Sequence, residues 1–116
     1  MYSLLINNTI LRLSHVLESA EQMPNEGDLF LPKDEKLKQN TKCAVLFEDD
    51  NYEFTEETLR FAETHGLNWH LGIHLVQDVI TNAKLQKPKV SIDELIAALE
   101  HYLEYDAFYD FGNLYN

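Results

Sequence analysis

The span Phe47–Glu57 reads FEDDNYEFTEE and carries carboxylates at Glu48, Asp49, Asp50, Glu53, Glu56 and Glu57, with no Lys or Arg between them. Acids this dense can ligate a divalent cation, do acid–base chemistry, or face a basic partner. A calcium loop needs alternating oxygen ligands, a glycine at its sixth position and a glutamate at its twelfth. Counted from Asp49, Asn51 and Glu53 keep the alternation. Phe54 then stands where the glycine belongs and Arg60 where the glutamate belongs, so the register fails.

The histidines are the next chemical candidates. His70 and His74 have the i, i+4 spacing that places two metal ligands on one helix face. Gly72 and the alternation of LNWHLGI, however, put a strand-to-helix joint between them, and Leu71 denies an HExxH motif. His65, His70 and His74 therefore read as surface or cap residues, and His15 and His101 stand alone on helices. A small metal-binding enzyme built on His70 and His74 is the least supported reading. Acid–base catalysis needs carboxylates whose surroundings drive their pKa values apart, and these acids fall on loops and helix starts. Ser3, Ser14, Ser19 and Ser91 lack a nucleophile-elbow context, and the four glycines form no phosphate-binding cluster. Cys43, the only cysteine, lies in the apolar run KCAVLF and reads as a small buried hydrophobe. The expectation is a non-enzymatic chain with no metal and no cofactor.

What remains is acid interleaved with aromatics. Tyr52 and Phe54 sit in the first run; Glu100, Tyr102, Glu104, Tyr105, Asp106, Tyr109 and Asp110 alternate near the end. Aromatics anchor protein interfaces, and complementary charge steers encounter. The candidate partner-binding residues are Glu48, Asp49, Asp50, Tyr52, Glu53, Glu104, Tyr105, Asp106, Tyr109 and Asp110. The plainer alternative is a solvated acidic face with its aromatics turned inward, above all on the last helix. Net charge favours a partner of positive sign: 20 acids against 9 bases give −11. Such a chain is repelled by nucleic acid and by anionic lipid. Its bases are clustered, with Lys33, Lys36, Lys38 and Lys42 early and Lys84, Lys87 and Lys89 late. Arg60 alone lies between, and none follows Lys89.

The elements that must hold these residues can be read from periodicity. The 116 residues suit a single domain spanning 1–116. No apolar run is long enough to span a membrane, and MYSLLINNTILRL lacks a basic n-region and a cleavage site. A cytoplasmic location is expected. A helix is predicted near Thr9–Gln22, capped by Asn8 or Thr9 and stopped by Pro24 and Gly27. DLFLP and CAVLF read as strands, the first ending at Pro32 or lying at an edge, the second covered on both faces. Thr55 caps the next helix with Glu56 and Glu57 in its first turn; Phe54 and Leu59 stand in staple positions, and Gly66 ends it. LNWHLGI alternates, with Leu67, Trp69, Leu71 and Ile73 on one face. HLVQDVITNAKLQ is a helix closed by Pro88, and Ser91 with Glu94 forms a capping box for the last helix. The fold class is α+β with an α/β-like core: a three-stranded sheet containing one parallel βαβ unit, flanked by about four helices, in the order α-β-β-α-β-α-α.

The segments GDLFLP, KCAVL, GLNWHLGIHLVQDVITNAKLQKP and SIDELIAALEHYLEYDAF together resemble small acidic bacterial immunity proteins of contact-dependent growth inhibition systems. The resemblance runs from Gly27 to Phe108 and includes no catalytic signature. It implies a cytoplasmic inhibitor that binds the C-terminal toxin domain delivered by a neighbouring cell and blocks its active site or substrate-binding surface. Such toxins are frequently nucleases, often RNases acting on tRNA, and carry basic clefts. The resemblance transfers no residue-level binding motif. An acidic regulatory or adaptor protein without a toxin partner is the alternative.

Overall fold

The computed structural model describes residues 6–112; Ser3 lies outside them. Four strands form one antiparallel sheet: β1 (Leu11–Arg12), β2 (Asp28–Pro32), β3 (Lys42–Leu46) and β4 (Leu67–Gly72), in the order β1-β3-β2-β4. Four α-helices are described: α1 (Leu13–Ser19), α2 (Glu56–Thr64), α3 (Ile73–Gln86) and α4 (Ile92–Tyr105), with a 3-10 turn at Ala20–Gln22.

Two expectations are corrected here. The sheet has four strands rather than three, and the order opens on a strand. Leu11 and Arg12 pair with Cys43 and Lys42, so α1 starts only at Leu13, with neither Asn8 nor Thr9 as its cap. The second correction concerns the βαβ unit. β3 and β4 run in the same direction around α2, but β2 inserts between them, antiparallel to both. Every pairing is therefore antiparallel, and no parallel ladder forms.

β2 and β3 are covered on both faces, which is why DLFLP and KCAVL read as continuous apolar runs. On one face Leu29, Leu31, Cys43, Val45 and Leu71 pack under α1, α3 and α4. Leu99, Ile80 and Val76 close this core; burying each contributes on the order of 2 kcal/mol. On the other face α2 covers Phe30, Ala44, Leu46 and Leu67 through Ala62, with Ile10, Phe54 and Phe61 alongside. Thr55 accepts from Thr58 N at 3.1 Å as the cap of α2, and Gly66 ends it at φ 66°. Phe54 does not staple onto Leu59, which is half-exposed; it meets Phe30 edge-on at 5.4 Å instead.

The alternation predicted across LNWHLGI breaks in the middle. Opposite β2, Leu71 faces Leu29 while Trp69 faces Phe30, so His70 is an extra residue in the ladder. A bulge of this kind shifts the side-chain phase by one. Leu67 and Trp69 thus lie on the α2 face and Leu71 on the other, and Trp69 leaves the core.

Candidate functional site

The acidic loop leaves β3 at Leu46, beside Asp28 of β2. Asp49 organises it: its Oδ1 accepts from Asn51 N at 2.8 Å and Glu53 N at 3.1 Å, and its amide donates to Glu53 O at 2.7 Å. Tyr52 completes the turn in the left-handed region, at φ 62°, and its side chain is 84% exposed. Few non-glycine residues adopt that conformation; here it turns a tyrosine outward among acids. Phe47, half-buried, floors a depression of about 370 Å³ lined by Glu26, Glu48, Asp49, Asp50 and Tyr52. The floor is tightly fitted, since a Cβ at Gly27 would meet the Phe47 ring at 2.8 Å.

Glu26 is an acid that sequence spacing did not connect with this loop. Trp69 is a second addition, and the more consequential. Alternation placed it on one face with Leu67, Leu71 and Ile73, whereas it is 56% exposed and donates its indole N–H to Asp28 Oδ1 at 3.0 Å. It lies across from Phe30, whose ring touches Phe54 just after the acidic loop. One end of the sheet thus carries Glu26, Glu48, Asp50 and Glu53 with two outward aromatics, Tyr52 and Trp69. Glu56 is set apart from them by its 2.8 Å ion pair with Arg60.

The C-terminal candidates are elsewhere. Glu104 borders a hollow with Leu31, Pro32 and Leu37. That is the opposite end of β2, about 13 Å along the strand from Asp28. The two groups predicted to act together form two surfaces. Several of the second group have local duties. Asp106 caps α4 in the left-handed region at φ 54°, and Asp110 accepts from Gly112 N at 2.7 Å. Tyr105 and Tyr109 pack on His101 at 4.7 and 5.4 Å. The tail is fastened by Gln86, which donates to Tyr109 O at 2.8 Å and accepts from Phe111 N at 3.0 Å. Burial, and then the charge of Asp106, raises the Tyr102 phenol above its ordinary pKa.

The histidines do not converge. His70 sits in the bulge with Nδ1 2.7 Å from Asn68 O, His74 covers Gly72 at the start of α3, and His65 packs on Phe61 at the end of α2. Among the described residues no group of three or more His, Cys, Asp or Glu is placed to hold a metal ion. Burial pushes the Cys43 thiol up to about 12, far from thiolate chemistry at neutral pH. Among the described residues no helix is long and apolar enough to cross a membrane.

A family model described as a domain of unknown function (DUF7716) matches residues 10–111. No curated protein and no solved structure matches the chain.

Proposed function

This chain belongs to the DUF7716 family, and we infer that it acts by binding a basic protein through the acidic end of its sheet. The partner class we assign is a nuclease toxin domain, most simply an RNase, neutralised by occlusion of its active site or substrate-binding surface in the cytoplasm. The observation that carries this reading is the pairing of outward aromatics with unpaired acids. Tyr52 stands exposed beside Glu26, Glu48 and Asp50, and Trp69 stands exposed on Asp28, which pairs with Leu46 where the acidic loop begins, in a chain of net charge −11. Interface hot spots favour Trp and Tyr. Surrounding carboxylates raise the encounter rate with a basic cleft and discriminate against acidic partners. The resemblance to immunity proteins supports the toxin as partner; the charge supports only its sign.

The test is co-expression with a candidate toxin domain, sought among the neighbouring genes. Growth rescue and a co-purifying complex are expected. Trp69→Ala should weaken the complex by about 30-fold, as for a hot-spot aromatic. Asp50→Lys should slow association, with a deficit that shrinks as salt rises past about 0.1 M. Association that ignores both salt and Asp50→Lys would remove the electrostatic half of the reading. A basic partner bound without growth rescue would make the chain an acidic adaptor; no partner at all would end the proposal.

A further inference from the structure

At the far end of the sheet from the acidic loop, the charged residues lining one cleft are mainly bases. This cleft, of about 630 Å³, opens between the loop after β2, the start of β3 and the end of α2. Its walls carry Lys36, Lys38, Lys42 and His65 against a single carboxylate, Glu35. Acids outnumber bases by 20 to 9 in the chain, so a local excess of three lysines over one acid is against the trend. Ion pairing does not account for it. The described salt bridges use Arg60, Lys84 and Lys87, and none reaches Lys36, Lys38 or Lys42. The end of α2 contributes only about half an elementary charge of negative dipole.

The ladder supplies a second observation. Arg12 of β1 stands directly opposite Lys42 of β3. Like charges in this position destabilise a sheet, and among the described residues no ion pair reaches Arg12 or Lys42. Both side chains point to the α2 face, since their neighbours Leu11 and Cys43 pair toward the other core. The fold thus tolerates a repulsive pair that keeps positive charge at the cleft.

The lysine-bearing loop is also held in place. Leu37 is buried and donates its amide to Glu100 Oε2 at 3.0 Å. Lys38 N donates to Thr41 Oγ1 at 2.8 Å, Gln39 Nε2 to Asp93 Oδ1 at 3.1 Å, and Ser14 N to Gln39 O at 2.9 Å. The nearby carboxylates Asp93 and Glu100 are thereby engaged by neutral donors. Lys36 and Lys38 project from a segment whose backbone is already ordered, so only their side chains remain to be ordered on binding.

We propose that this cleft binds a compact phosphate-bearing anion, held by Lys36, Lys38 and Lys42 with Arg12 adding to the field. Its volume falls in the range of small-ligand sites, about 300–1,000 Å³. An extended nucleic acid would meet the acidic remainder of the surface and be repelled; a small oligophosphate fits within the basic zone. The cleft shares no lining residue with the acidic depression.

Titration with sodium pyrophosphate, followed by backbone amide NMR shifts at 50 mM salt, tests this. Saturable shifts confined to residues 33–42 and 65–67 are expected, with half-saturation below about 1 mM. Lys38→Gln and Lys42→Gln should each weaken binding by about tenfold, the loss of one charge-assisted contact, and Lys42→Arg should largely restore it. Arg12→Gln is the discriminating variant. It should raise the melting temperature, by relieving Lys42, while weakening pyrophosphate binding. No saturation by about 10 mM, shifts centred on Lys84–Lys89, or indifference to Lys38→Gln and Lys42→Gln would each overturn the proposal. So would binding of a short single-stranded RNA without binding of pyrophosphate.

Discussion

Adjacent acids in this chain have different roles, and their hydrogen bonds separate them. Asp49 accepts two backbone amides and holds its loop together, whereas Asp50 faces the depression with no such duty. Glu94 belongs with Asp49. Ser91 and Glu94 close the capping box of α4 as expected, and Glu94 also reaches the Lys87 ammonium. The Lys87 hydrogen bond, followed by the Ser91 amide, lowers the Glu94 carboxyl to about 2. A group whose pKa is lower folded than unfolded adds stability above its unfolded value, about 4.3, and loses it as pH falls toward the folded value. Stability should therefore decline between about pH 4.5 and pH 2 partly through Glu94. In Glu94→Gln that share of the decline should vanish, while the variant is the less stable protein at pH 7. Thermal melts of both proteins at pH 7 and pH 3 check this: the gap between their melting temperatures should narrow at the lower pH. A gap that holds constant would place the Glu94 contribution in neutral hydrogen bonding alone.

Element ends were the most legible features of the sequence, because a cap is decided by a few neighbouring residues. Thr55, Gly66 and Ser91 each terminate a helix where their chemistry says they should. Pairing between distant strands was not legible. β1 has two residues, too few to show a period, and Leu11 and Arg12 join the sheet only because Lys42 and Cys43 offer a free edge. Nothing local to DLFLP announces that it inserts between β3 and β4. Trp69 escaped for the same reason: the bulge at His70 exists only against β2, and it puts the tryptophan on the opposite face from Leu71. The acidic loop was visible as a run of carboxylates, but Glu26 and Asp28 reach it through the fold. Gly27 shows how tightly this end is assembled. A methyl there would meet Phe47 at 2.8 Å and the wholly buried Val45 at 2.9 Å. Gly27→Ala should cost about 1–3 kcal/mol, as overpacking does, and displace Phe47 from under the acidic depression. Urea denaturation gives the energy, and amide shifts across residues 47–53 report the displacement; an unchanged midpoint would mean that Phe47 yields freely.

Across the whole molecule the charges are only partly sorted along the sheet, since Asp34, Glu35, Glu100 and Glu104 also lie at the Pro32 end. Acids gather beyond Leu46 and Asp28, and Arg12, Lys36, Lys38 and Lys42 gather near Pro32 and Leu67. The separation along β2 is about 13 Å. Two unit charges at that distance in water interact by about 0.3 kcal/mol before screening, an upper value for Asp50 and Lys42 because Asp50 lies beyond the strand end. Reversing one charge at each end, with Asp50→Lys and Lys42→Glu, changes the interaction four-fold in a double-mutant cycle, to about 1.3 kcal/mol unscreened. At 0.15 M salt the Debye length is about 8 Å and the coupling falls to about 0.3 kcal/mol; at 0.01 M it is about 30 Å and most of the coupling returns. The two variants should therefore be additive in unfolding free energy at physiological salt and visibly non-additive at low salt. A coupling well above about 0.5 kcal/mol at 0.15 M would show that the sheet transmits strain between its ends. In that case an anion bound at the basic cleft would alter the acidic surface directly. Additivity would make the two ends independent, free to engage a basic protein and a small anion at the same time.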